Sequence, residues 1–269
     1  MTSEPPSVQT AFDQFRQELD DQNDRRERLI KASRDITNLS KKVIFLLHRI
    51  MNEDAQDERE HSREAYERGI EKLREVQAIF ATIKVEVQGD LFWRHHRSVS
   101  PGLQEYIEAL SFAHYLGYGT LVTFNQVQSS LSDDNGAPYF PLPKDDYLLG
   151  LSDLTGELMR FAISGIARKG GRARALGVCN FVRECKSDFD RYTPFVRELR
   201  KKQTVTNQSL EKIEDAVYAI VVRSSEYDLP PEMLDDIISQ SISSFTSGGG
   251  RTKRNRQDAG SDDEREDDY

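Results

Sequence analysis

The sequence predicts an all-α protein, a bundle of about six or seven long helices, and three observations carry that expectation. Positions 7 to 68 contain neither glycine nor proline, which few chains sustain over such a length unless they are helical. Apolar residues recur at three- and four-residue spacing along the long segments, as one buried helix face requires. No stretch reads convincingly as a strand, and no internal repeat is visible. At 269 residues, 37% hydrophobic and 31% charged, the chain can bury one core and carries a strongly polar surface. The expected organisation is a flexible N-terminus over 1–7, a helical domain over 8–245, and a disordered tail over 246–269 that is Gly-rich, then basic, then acidic.

The elements follow in order. A first helix is expected over about 8–51, its apolar face marked by Leu29, Ile30, Ile36, Leu39, Val43, Ile44, Leu46, Leu47 and Ile50. The polar run NEDAQDERE makes the turn, and a second helix covers about 58–87 with Gly89 as its C-cap. Ser100 as N-cap and Pro101 at the first helical position open a third helix. A short helix over about 123–131 precedes SDDNGAPYFPLP, whose three prolines and Asn-Gly make it a loop. Helix resumes at Lys144 and runs to about 168, RKGGRAR breaks it, and ALGVCNFVRECKSDF forms the next. The last long helix spans about 194–225, and PPEMLDDIISQSI reads as a short terminal helix.

Charge and cysteine usage narrow the function classes. The net charge is -9, of which the segment from Ser247 onward supplies only -2. A nucleic-acid binder with that balance must gather its Arg and Lys on one surface or borrow positive charge from a partner. No apolar run approaches the ~20 residues that cross a bilayer, and MTSEPPSVQT has no signal-peptide pattern, so a soluble intracellular protein without a membrane partner is expected. Cys179 and Cys185 lie six apart in one expected helix and point to different sides, which argues against a mutual disulfide. Gly-x-Ser-x-Gly, Walker-type and dinucleotide motifs are all missing.

Two acidic pairs stand out. In LQEYIEAL, Glu105 and Glu108 sit three apart, opposite an apolar face, while Phe112 and Tyr115 continue their stripe and suggest that the carboxylates are partly enclosed. In LLGLSDLTGELMR, Asp153 and Glu157 stand four apart on one side of a helix, with Asp146 and Gly150 before them and Arg160 and Ser164 after. Like charges at this spacing repel, and glycine costs a helix roughly 1 kcal/mol, so local stability does not explain the arrangement. Such pairs are common on solvated helix faces. Two of them on apolar helices, brought together by antiparallel neighbours, would need a cation, and all-oxygen ligation suits Mg²⁺ or Mn²⁺ better than zinc or iron. The Glu-x-x-His pattern of di-iron bundles is absent from both helices. Among the histidines, His48, His61, His95 and His96 read as structural or surface residues, and His114 is notable only for sharing the glutamate helix.

With these residues quoted, the sequence resembles the X-type subunits of the translin family. The resemblance rests on FDQFRQELDDQNDRRERLIKASRDIT with KKVIFLLHRI, on GLQEYIEALSFAHY, on DYLLGLSDLTGELMR and on SLEKIEDAVYAIVVRSSE. Together these blocks cover most of positions 11 to 226, and the second and third are highly specific. The resemblance implies a translin-like bundle and a translin partner in a closed hetero-oligomer, of octameric kind. The implied role is the catalytic subunit of a Mg²⁺-dependent endoribonuclease processing small RNA or tRNA fragments, with Mn²⁺ as a substitute. It further implies single-stranded RNA as substrate, single-stranded DNA as another ligand, and both cytoplasmic and nuclear location. Glu105, Glu108, Asp153 and Glu157 match the family's acidic residues, the first three as direct ligands and Glu157 as a ligand or the base that orients water. Translin itself resembles this fold but lacks the acidic set.

Lys41, Lys42, Arg49 and Arg160 are weaker candidates for RNA-backbone contacts. The family often carries a basic import signal near its N-terminus, but here the first ten residues hold no Lys or Arg. RTKRNR, with Arg251, Lys253, Arg254 and Arg256, is the substitute candidate. The region around SDFDRYTP matches the family poorly. Two other readings stay open: a noncatalytic helical adaptor whose acids form a salt-bridged interface with translin, and, less well supported, a carboxylate-bundle oxidase.

Overall fold

The computed structural model describes residues 8–53, 57–166 and 171–226. Seven α-helices account for most of them: α1 Val8–Met51, α2 Glu58–Thr82, α3 Asp90–Tyr118, α4 Phe124–Ser130, α5 Lys144–Ser164, α6 Gly171–Tyr192 and α7 Arg197–Glu226. The only sheet-like feature among the described residues is an isolated bridge from Ser132 to Pro138 inside the expected loop. Up to Val217 the chain forms one compact unit, and a second begins at Tyr218, of which the end of α7 is the described part. The N-terminus 1–7, the terminal helix and the tail with Arg251, Lys253, Arg254 and Arg256 lie outside the described residues. No described helix is long and apolar enough to cross a membrane.

The first unit is organised around α3, which packs against α1, α2 and α5. Its register with each neighbour can be read from paired residues. Ser33, Lys41 and His48 of α1 meet Gly102, Glu105 and Phe112 of α3 in turn, so these helices run parallel. Asp146, Gly150 and Phe161 of α5 meet Ser100, Ile107 and Phe112, which makes α5 parallel to α3 as well. This corrects the antiparallel neighbours expected for the two acidic helices. The physical reason is the long α4-containing connection between them, which carries the chain back to the starting end of α3. Between these layers Phe80, Tyr106 and Phe140 are fully buried and stack edge to face, with ring centroids 4.7 to 5.4 Å apart.

Apolar periodicity explains most boundaries. Ala65, Gly69, Leu73, Val76 and Phe80 form the buried stripe of α2, and α1 is buried from Leu29 onward while Val8, Phe12, Phe15 and Leu19 before it are exposed. Thr123 caps α4 in a capping box with Gln126. Three boundaries differ from expectation. α2 stops at Thr82, a 3₁₀ turn fills Lys84–Val87, and Gly89, at φ 58°, serves the start of α3 instead of capping α2. Ser100 and Pro101 do not open a helix, because α3 starts at Asp90 and runs through Pro101. Burial of Phe92, His95 and Val99 on one side and Leu103 and Tyr106 on the other outweighs the proline cost of about 3 kcal/mol. α6 likewise begins inside the expected break, at Gly171. There Arg174 is held by Glu58 at 2.6 Å and lies over the Phe161 ring, so the arginine-rich start is anchored. Cys179 and Cys185 are both free and buried on α6, as expected.

Candidate functional site: facing acids of two parallel helices

Gly150 sets the site. A Cβ there would stand 2.7 Å from the Ile107 Cβ and 2.9 Å from the Gln104 carbonyl oxygen, so only glycine lets α5 approach α3 this closely. The helix cost noted from the sequence therefore has a packing reason. With the two backbones that close and parallel, Asp153 and Glu157 of α5 come to the side of α3 that carries Glu105 and Glu108.

Glu108 registers the crowding. Burial, followed by the charges of Asp153, Glu105 and Glu157, pushes its carboxyl up to about 8, with Lys202 opposing. It has no hydrogen-bond or ion-pair partner among the described residues. Asp153 is also raised by burial, against the pull of Lys202. The other three acids each hold a protein cation or histidine. Lys41 reaches Glu105 at 3.1 Å. His48 Nε2 lies 2.6 Å from Glu157 Oε2, with Arg160 3.5 Å from the same oxygen. Lys202 of α7 donates to Asp153.

Four carboxylates and no thiolate form an oxygen-only donor set, and a neutral, unpartnered Glu108 among three acids is the state a divalent ion would relieve; in chemistry the set fits Mg²⁺ or Mn²⁺. In position it is spread out, because among the described residues no three His, Cys, Asp or Glu side chains stand ready to share one metal ion. The structure thus brings all four acids to one helix interface and turns three of them onto other partners.

Of the weaker candidates, Lys41 and Arg160 touch these acids, whereas Lys42 and Arg49 are exposed on α1. His114 is not at the site; its ring lies against Tyr118 and near Thr120. His95 and His96 belong to features that sequence reasoning passed over. Asp146, 1% exposed, accepts from His96 at 2.5 Å, Ser100 at 2.6 Å and Gln104 at 2.8 Å. These bonds outweigh burial and hold its carboxyl below the usual range, while Asp146 raises His96. Earlier on the same α1–α3 pair runs a cleft of about 730 Å³ lined by Arg26, Arg34, Arg94 and Arg97 with Ser33, Thr37, Asn38 and Ser98. His95 lines it too, with a buried Nε2 that has no partner. Burial and nearby Arg25 and Arg94 keep that imidazole below its ordinary pKa. The cleft ends one turn before Lys41 and Glu105. The block RHHR was the available signal for it, legible as basic charge rather than as histidines.

Fold and site together define a class: an all-α bundle with an acidic pair on each of two parallel helices. The chain belongs to the translin family, whose family model matches residues 24–224. It is 37% identical over 254 residues to Translin-associated protein X of Rattus norvegicus, covering 86% of this chain and 84% of that one. It is 29% identical over 226 residues to the Translin-associated protein X homolog of Schizosaccharomyces pombe, covering 81% and 90%. In fold it is similar to AfC3PO, solved as a duplex RNA complex, with a TM-score of 0.60 and 20% identity over 79% of this chain and 97% of that chain.

Proposed function

We propose that this chain is the catalytic subunit of a Mg²⁺-dependent endoribonuclease, assembled with a translin partner in a closed, octameric shell and cutting single-stranded RNA. The observation that carries this reading is Glu108: an unpartnered carboxyl pushed to about 8 by burial and by three neighbouring acids. A stabilising interface would not leave such a group without a partner. Family membership and the X-type relatives support the partner, and the AfC3PO complex supports RNA as the ligand class.

Glu105, Glu108 and Asp153, with Glu157, would hold Mg²⁺, which when bound supplies charge neutralisation at the scissile phosphate and a water of lowered pKa. The chain's own residues do the rest. Arg94, Arg97 and Arg34 line a basic path for phosphates that ends one turn before Glu105. His48 fixes Glu157 through Oε2, leaving Oε1 to accept a proton from the attacking water or to serve as a ligand. The part-buried position of the acids favours a strand flexible enough to enter.

One observation favours the adaptor reading instead. Glu105, Asp153 and Glu157 are each paired within the protein, as a salt-bridged interface would be. Glu108→Gln separates the two readings. On the nuclease reading the complex with translin loses Mg²⁺-dependent RNA cleavage and keeps RNA binding. On the adaptor reading the parent complex does not cleave, and its RNA binding is indifferent to both the substitution and chelator.

A further inference from the structure

Lys201 and Lys202 are adjacent lysines with opposite surroundings. Lys201 is exposed and pairs with Glu198 in its own helix, an ordinary surface arrangement. Lys202 reaches from α7 to the α3–α5 interface, where its ammonium donates to Asp153, to Gln104 Oε1 at 3.2 Å and to the Leu149 carbonyl at 3.3 Å. Three acceptors match the three N–H bonds of an ammonium.

This seat is built independently of the lysine. The Gln104 amide nitrogen is committed to Asp146 at 2.8 Å and Ser100 at 3.0 Å, so its oxygen faces the other way, toward Lys202. Asp146 is in turn fixed by His96 and Ser100. The lysines and arginines on the other acids are looser: the Lys41 and Arg160 side chains are each 62% exposed, against 25% for Lys202. Lys202 is therefore the most enclosed permanent positive charge in contact with the four acids.

We propose that Lys202 is the built-in counter-ion of the acid cluster, a positioning residue whose ammonium holds the Asp153 carboxylate when no divalent cation is bound and is displaced when one binds. The inference rests on the metal-dependent reading above. It accounts for acids that share an interface and yet do not converge on one point: the Asp153 carboxylate is turned onto the ammonium. It also makes cation binding a competition, in which removing the lysine charge strengthens the divalent ion's hold.

The test is Mn²⁺ binding by calorimetry, without RNA, to the full chain in complex with translin. Lys202→Met removes the charge and the hydrogen bonds, Lys202→Gln removes the charge and leaves a shorter polar side chain with two N–H donors, and Lys202→Arg keeps the charge. The two neutral variants are expected to bind Mn²⁺ at least ~10-fold more tightly than the parent, and Lys202→Arg within about threefold of it. Without metal, the neutral variants should melt below the parent, and saturating Mn²⁺ should close that gap, a response that a merely structural lysine would not give. If the parent binds Mn²⁺ and both neutral variants bind it equally or more weakly, the counter-ion role is overturned and the metal reading stands. If neither parent nor neutral variants bind Mn²⁺, the metal reading falls, and this proposal with it.

Discussion

Two acidic regions along the α3–α5 interface, about two turns apart, meet burial in opposite ways. Asp146 is almost completely enclosed, yet its carboxyl stays below the ordinary range because His96, Ser100 and Gln104 all donate to it. Glu108 of α3, on the side where Asp153 lies, is pushed up to about 8 by burial that no hydrogen-bond donor offsets and by three other acids. Desolvation acts in the same direction on both, and the partners decide the outcome. The difference separates an acid that holds the fold together from one held at a cost to stability. The second kind is a functional candidate.

The comparison can be broken first at Asp146. Asp146→Asn removes the charge that His96 and the two other donors were placed to meet, and chemical denaturation at pH 6 should show a loss of roughly 3 kcal/mol. The sign follows from the two shifts. Asp146, lowered, contributes stability above about pH 4 that is lost in acid, and His96, raised, contributes stability below about pH 6.5 that is lost as pH rises through its folded value. Their joint contribution is largest between those limits, and the variant should lose it there.

Glu108→Gln should do the reverse. With its folded value near 8, Glu108 contributes stability below about pH 4.5 that is lost as pH rises to about 8. In chelator the parent should therefore lose melting temperature over that window. The amide variant should show a flatter profile and, at pH 8, melt no lower than the parent. A steeper or unchanged profile would mean that burial and the other acids do not raise the Glu108 carboxyl. A smaller effect is expected in the cleft: Arg94→Ala with Arg97→Ala should weaken RNA binding by ~10-fold and make its salt dependence shallower by about 1 to 1.5, while leaving the melting temperature nearly unchanged. The smallest is His96→Ala, which removes one donor of three from Asp146 and should cost about 1 kcal/mol, most visible near pH 6.

Local patterns carried the sequence reading where a helix is decided by its own residues. α1 was legible because nothing interrupts it over Val8–Met51, and the two acidic pairs were legible because their spacing puts each pair on one face. Ser100-Pro101 misled because it has the local chemistry of a helix start, and only burial on both sides of it reveals a continuous α3. The same limit hid the partners of the acids. Nothing in the dipeptide Lys201-Lys202 says which lysine enters the interface. His48 looked like a core histidine flanked by leucines, and it is buried, but its ring nitrogen meets Glu157 from a helix more than a hundred positions away. Gly150 announced a cost without its reason, which is the close passage of Ile107 on a parallel helix.

The central claim, that the facing acids form a divalent-metal nuclease centre, is tested most directly by RNA cleavage under controlled metal. The complex of the full chain with translin would be stripped in chelator, given a single-stranded RNA, and then supplied with Mg²⁺. The account expects no cleavage in chelator and full recovery with Mg²⁺ in the parent. Cleavage that persists in chelator, or a parent complex that binds the RNA and leaves it whole in saturating Mg²⁺, would contradict it.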